Sequence, residues 1–250
     1  DIQIREMPVR VMELERLGDD VAVVTLQMPP AEPFRYYAGQ YIEFILKDGR
    51  RRSYSMANPP SSDNKVQLHV RHMPGGAFTD HVFGVGATQM KLREILRVEG
   101  PFGSFFLRED SDKPIVFLAS GTGFAPIKAI VENMMRQNMT RKAVLYWGGR
   151  RPGDLYLDAQ ARQWAEQWPG FSYVPVVSDA LPEDGWTGRS GFVHLAVLED
   201  LPDLSNHQVY ACGAPVMVES ARRDFVGQAG LPDEEFFADA FTSAADATPA

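Results

Sequence analysis

The chain has 250 residues, 44% of them hydrophobic and 23% charged, with a formal net charge of −8 and a single cysteine. This is globular composition, long enough for one large domain or two small ones, each burying its own core. The acidic balance argues against a nucleic-acid partner, which needs a basic surface, and no apolar run approaches the ~20 residues of a membrane helix.

Up to about residue 107 the pattern is β. Val21–Leu26, Tyr41–Leu46 and Val66–Arg71 are short, β-branched runs separated by turn material at Gly18-Asp19-Asp20, Asp48-Gly49 and Asn58-Pro59-Pro60. Short strands without long helical patterns predict an antiparallel barrel or sandwich.

After Asp110-Ser111-Asp112-Lys113-Pro114 the period changes. Ile115–Ala119 is a continuous apolar run, as in a strand buried on both faces. Strands at Ala143–Trp147, Ser172–Val177 and Gln208–Ala211 then alternate with helices near 125–137, 158–167, 191–198 and 216–227. Such alternation predicts a parallel sheet covered on both faces. No internal repeat is present, and the small, polar stretch 242–250 is expected to be disordered. The chain begins at Asp1 without a visible signal peptide, so a processed or excised N-terminus is expected.

Four segments could carry chemistry. Ser120-Gly121-Thr122-Gly123-Phe124 follows the apolar strand, where glycines admit a pyrophosphate and a helix N-terminus offers unpaired N–H groups. It is neither the three-glycine dinucleotide fingerprint nor a P-loop, and a plain strand-to-helix turn would read the same way. Ala211-Cys212-Gly213-Ala214-Pro215 is a second strand–Gly–helix junction, where a small thiol can touch a flat ring; a free Cys is more often a small core hydrophobe. Arg52-Ser53-Tyr54-Ser55 sets a phosphate-clamping Arg and an aromatic ring on one strand face, unless it is an edge strand with a solvated Arg. Pro74-Gly75-Gly76-Ala77-Phe78-Thr79 leads into a short helix, as a second phosphate cradle or a bare turn.

In this order and spacing, the four segments resemble the ferredoxin–NADP reductase superfamily over nearly the whole chain, and most of all its oxygenase reductase components and CDP-6-deoxyglucoseen reductases. The resemblance implies an antiparallel, FAD-binding β-barrel over residues 1–110. An α/β domain with a parallel sheet, binding NAD(P)H, would follow over 111–241. It implies that Arg52 pairs with the flavin pyrophosphate, Tyr54 packs on the isoalloxazine and Ser55 hydrogen-bonds N5. His69, Val70 and Arg71 would meet the ribityl and ring region, and Gly75, Gly76, Ala77 and Thr79 would donate to the phosphates. Gly121, Thr122 and Gly123 would cradle the dinucleotide, with Cys212 and Gly213 beside the nicotinamide. Phe236-Phe237-Ala238-Asp239-Ala240-Phe241 resembles the family's terminal aromatic motif: Phe241 is the expected flavin cover, Phe237 its substitute, and Asp239 a proton relay. A last core strand is the alternative.

The implied activity is hydride transfer from NADH to FAD, then single-electron delivery to a 2Fe–2S ferredoxin domain or protein, in the cytoplasm. Relatives often carry that ferredoxin domain on the same chain; one cysteine cannot hold a cluster here. Arg150, in Gly148-Gly149-Arg150-Arg151, would serve the adenosine, and Asp179 would hold a ribose hydroxyl and repel a 2′-phosphate, which favours NADH over NADPH. Arg50 and Arg51 form either a basic rim that steers an acidic ferredoxin or a solvated turn. A free-flavin reductase is the nearest alternative, and a non-catalytic nucleotide-binding module is the other.

Overall fold

The computed structural model describes residues 1–241; the expectation for 242–250 lies outside them. The chain divides into two compact units, one of residues 1–107 with 128–133 and one of residues 108–127 with 134–241.

The first unit contains six strands, β1 (Arg5–Leu17), β2 (Val21–Gln27), β3 (Tyr41–Ile45), β4 (Arg51–Ser55), β5 (Lys65–Arg71) and β6 (Ile95–Phe102), and one short helix, α1 (Ala77–Phe83). They form a single antiparallel sheet in the order β4-β3-β6-β1-β2-β5. Its two ends meet just past β4, where Met56 bridges Leu68 of β5 and the Ala57 N–H donates to the Gln67 carbonyl at 2.8 Å. The sheet is thus closed into a barrel, which removes the exposed edges an open sheet would present.

The interior follows the period-two rule: Met7, Val9 and Val11 of β1 are buried while Glu6, Pro8 and Arg10 between them are exposed. They join Leu26, Ile42, Phe44, Leu68 and Val98 in one apolar core. Strands β1 and β6 were not predicted. The charges and Pro8 in β1 hide its alternation, and β6 carries Gly100-Pro101 before its end.

The second unit alternates β7 (Ile115–Ser120), α2 (Phe124–Arg136, whose residues 128–133 are grouped with the first unit), β8 (Ala143–Gly149), α3 (Asp158–Gln167), β9 (Phe171–Val177), β10 (Arg189–Ser190), α4 (Val193–Asp200), β11 (Gln208–Gly213), α5 (Pro215–Ala229) and β12 (Phe236–Ala240). All six strands are parallel, in the order β10-β9-β8-β7-β11-β12. The chain builds outward from β7 to β10, then returns to place β11 on the other side of β7. The order therefore reverses between β7 and β11, the position at which open α/β sheets bind their ligands. β7 is buried along its apolar run and β11 along its whole length, as expected of central parallel strands. No helix among the described residues is long and apolar enough to cross a membrane.

Candidate functional site: a strand-end junction and a barrel cradle

In the second unit, the two glycine junctions lie side by side because β7 and β11 are neighbours, with Ala119 opposite Cys212. The contact between them is made by backbone. A Cβ on Gly123 would lie 2.0 Å from the Cys212 carbonyl oxygen, and one on Gly213 would lie 2.2 Å from Ser120 Oγ. Gly213 also has φ +141°, a region that side chains rarely adopt. These glycines are therefore required by the protein's own packing, quite apart from any ligand. Ser120, whose role no local sequence pattern signals, ties the junctions together: its Oγ accepts the Ala214 N–H at 2.9 Å.

The turn itself is held from β8. Trp147 Nε1 donates to the Gly121 carbonyl at 3.0 Å, and its ring stacks on Phe124 with centroids 4.0 Å apart and planes 8° from parallel. Gly121 sits at φ +53°, opening the one-turn segment Gly121–Gly123 that runs into α2.

Cys212 is fully buried. Burial, and secondarily the Asp239 carboxylate, push its thiol well above the usual range, so it stays protonated at neutral pH and is no nucleophile. Asp239 stands opposite it in the β11–β12 register. The Phe241 N–H donates to the Gly213 carbonyl at 2.7 Å, which anchors that residue at the same strand ends.

Phe237 is not brought there. It pairs with Tyr210, three residues or roughly 10 Å before the end of β12. Its ring stacks on Tyr210 at 4.9 Å and lies 4.7 Å from the Arg108 guanidinium. The proposed substitute for Phe241 is thus a packed residue at the other end of the strand. It also lines a cavity of about 650 Å³ with Arg108, Lys113, Gln208 and Glu235, at the start of the strands and away from the glycine junctions.

The loop after β8 also differs from expectation. Arg150 and Asp179, read separately from the sequence, are ion-paired at 3.2 Å on the surface. Arg151 is held in a two-point contact by Asp184, both bonds 2.8 Å. Asp154 fixes the loop backbone by accepting the Arg150 and Arg151 N–H groups at 3.0 Å.

In the barrel unit, Arg52 and Tyr54 share one face of β4, opposite Phe44 and Ile42. Arg52 is buried, with Nη1 donating to the Arg51 carbonyl at 2.9 Å. Tyr54 is half-buried against Phe44 and Phe78, and Ser55 is buried at the end of the strand. His69 and Val70 are buried on β5, while Arg71 pairs with Asp20 at 3.0 Å. Burial, and after it the charge of Lys128, lower the His69 pKa to about 3, so the ring is neutral. Lys128 is itself buried, and its Nζ donates to the Ala57 carbonyl at 3.0 Å and to Glu132.

Two parts of the predicted phosphate cradle are already committed. The Gly76 N–H donates to the Met73 carbonyl at 2.8 Å. The Thr79 hydroxyl donates to the Met73 carbonyl and accepts its N–H, each at 3.0 Å. What the loop offers an anion is the first-turn backbone N–H groups of α1, with Gly75 at φ +87° and open space where a Cβ would be. The buried guanidinium of Arg52 and this open glycine loop fit a flavin diphosphate. The basic rim is not net basic: Arg50 is paired with Asp48 at 2.7 Å, and Arg51 with Glu99 at 2.6 Å and Glu43 at 3.2 Å. No cluster of metal-ligating side chains occurs among the described residues.

Two family models match along the chain. Residues 8–107 match the oxidoreductase FAD-binding domain family and residues 117–223 the oxidoreductase NAD-binding domain family. The chain is 46% identical over 240 residues to the CDP-6-deoxy-L-threo-D-glycero-4-hexulose-3-dehydrase reductase of Yersinia pestis, covering 96% of this chain and 70% of that protein. It is 38% identical over 226 residues to a terephthalate 1,2-dioxygenase reductase component from Comamonas, covering 90% and 65%. Among solved structures it resembles the Amycolatopsis cytochrome P450 reductase GcoB, with a TM-score of 0.86 and 33% identity over 97% of this chain and 71% of that one. The chain belongs to the ferredoxin reductase family and is an NAD(P)H-dependent, FAD-binding oxidoreductase.

Proposed function

We propose that residues 1–110 bind FAD and residues 111–241 bind the nicotinamide dinucleotide of a reductase that takes hydride from NADH. It would pass electrons singly to a 2Fe–2S ferredoxin-type partner serving an oxygenase or a deoxysugar dehydrase. The observation that carries this reading is the pair of glycine junctions packed against each other at the β7/β11 switch point. The named relatives support the choice of acceptor, being reductases of a hexulose dehydrase and of a dioxygenase.

Bound FAD supplies two-electron acceptance and one-electron release. The chain supplies position and electrostatics. Arg52 and the first turn of α1 would hold the diphosphate, and Tyr54, with backbone groups of His69, Val70 and Arg71, would hold the ring and ribityl chain. Ser55 would donate to N5. Gly121, Thr122 and Gly123 would take the dinucleotide pyrophosphate. Cys212, neutral because it is buried, would be a compact wall for the nicotinamide beside Gly213, with Asp239 as proton relay and Phe241 as flavin cover.

NADH is preferred because Asp179 occupies Arg150, and Asp184 occupies Arg151, so a 2′-phosphate would have to displace a carboxylate. A cytoplasmic location fits a reduced, lone thiol. The test is anaerobic: the purified protein keeps FAD through gel filtration, NADH bleaches it, and an added 2Fe–2S ferredoxin restores the colour. Flavin lost on the column would instead identify a free-flavin reductase; no bleaching would refute hydride transfer.

A further inference from the structure

We infer that Trp147, at the end of β8, is a positioning residue for the dinucleotide pyrophosphate, acting through the Gly121 peptide. This deepens the reading above and rests on its placement of the nucleotide at Gly121–Gly123.

The Gly121 carbonyl accepts two hydrogen bonds. One comes from Trp147 Nε1 at 3.0 Å, and the other from the Phe124 N–H that closes the turn. A carbonyl oxygen has two acceptor directions, so both are filled. The only cis peptide among the described residues is Gly100–Pro101, so the Gly121–Thr122 peptide is trans, and its N–H points opposite to its carbonyl. Trp147 is fully buried. Drawing the Gly121 oxygen inward toward the indole therefore turns the Thr122 N–H away from that interior.

The consequence is electrostatic. A peptide rotated the other way would present an oxygen lone pair to an anion and repel it. The orientation enforced by Trp147 presents a donor instead. Rotation of this peptide turns ψ of Gly121, which has no Cβ to restrict it, so the indole N–H supplies a constraint that glycine alone does not. The ring cannot drift, since Phe124 stacks on it at 4.0 Å and Tyr156 stands edge-on at 5.2 Å.

The test separates the N–H from the ring. Trp147→Phe keeps an aromatic ring against Phe124 and deletes the donor. Binding to the oxidised flavoprotein is measured by calorimetry with ADP-ribose, which carries the pyrophosphate, and with adenosine, which does not. The expected result is an ADP-ribose Kd about tenfold weaker in the variant with adenosine binding unchanged, and in turnover with ferricyanide a raised NADH KM at constant kcat. Equal ADP-ribose binding by the two proteins overturns the inference, as does an equal loss for adenosine, which would indicate general damage. If wild-type protein itself binds ADP-ribose no better than adenosine, the nucleotide placement has failed rather than the role of Trp147. Should the Phe variant not fold as a flavoprotein, 3-benzothienylalanine at position 147, with the same ring shape and no N–H, carries the same outcomes.

Discussion

Gly123 and Cys212 are in direct backbone contact: a Cβ on the glycine would come within 2.0 Å of the Cys212 carbonyl oxygen. Two junctions more than 80 residues apart in the sequence are thereby one rigid corner. Gly123→Ala must push β7 or β11 aside, and a cost of about 3 kcal/mol is expected, read as a large drop in melting temperature. Gly75→Ala is the contrast. Its φ is +87° but its Cβ would meet nothing within 4 Å, so only the left-handed backbone cost of about 1 kcal/mol applies. Equal melting temperatures for the two variants would contradict the contact.

The Arg150–Asp179 pair makes a prediction about cofactor choice. Both side chains are largely exposed, so the pair adds little stability, and Asp179→Ala should leave the melting temperature within about a degree or two. Freed from its carboxylate, Arg150 can meet a 2′-phosphate. The ratio of kcat/KM for NADPH over NADH should rise about tenfold. An unchanged ratio would remove this pair from specificity.

Cys212 should resist alkylation. Its thiol is fully buried and held protonated by burial and by Asp239. Native protein at pH 8 is expected to take up no iodoacetamide over an hour-scale incubation, while protein in urea reacts stoichiometrically. Rapid native labelling, read by mass spectrometry, would show that the strand end opens.

Buried histidines set the acid side of stability. His69 has its pKa lowered to about 3, whereas the unfolded chain titrates near the ordinary 6.5. Unfolded protein therefore binds the proton first. The stability tied to a neutral His69 is complete above about pH 6.5 and declines as pH falls toward 3, by at most about 1.4 kcal/mol per pH unit. His194 and His207, also lowered by burial, act in the same sense. Urea melts at pH 7.5 and 5 should show the decline, and His69→Gln should reduce it. An unchanged pH dependence would mean that His69 is not held neutral.

Ser55→Ala tests the flavin side. Ser55 is buried at the end of β4, so losing one hydroxyl should leave FAD bound. If Ser55 donates to N5, the stopped-flow rate of flavin reduction by NADH should fall at least about tenfold. An unaltered rate would exclude it.

The second unit was more legible than the first. Central parallel strands are apolar along their length, so Ile115–Ala119 marks β7, and a helix is expected near 158–167, where α3 lies. In the barrel, β1 was missed although it is the longest strand, because one face points to water and carries Glu6, Pro8 and Arg10. Half its residues therefore read as loop.

At the site, sequence supplied residue types and their places at strand ends. Arg52 and Tyr54 two apart on a strand, and a glycine after each buried strand, follow from local period and local backbone demand alone. Partnership was invisible, because it depends on sheet order. That Asp179 neutralises Arg150 across 29 residues, that Asp239 stands beside Cys212, and that Phe237 belongs to Tyr210 rather than to the strand ends all required the β10-β9-β8-β7-β11-β12 arrangement. Short-range sterics and burial act between neighbours in the chain and can be read along it. Charge pairing and close backbone approach act between neighbours in space, and only the folded sheet decides who those are.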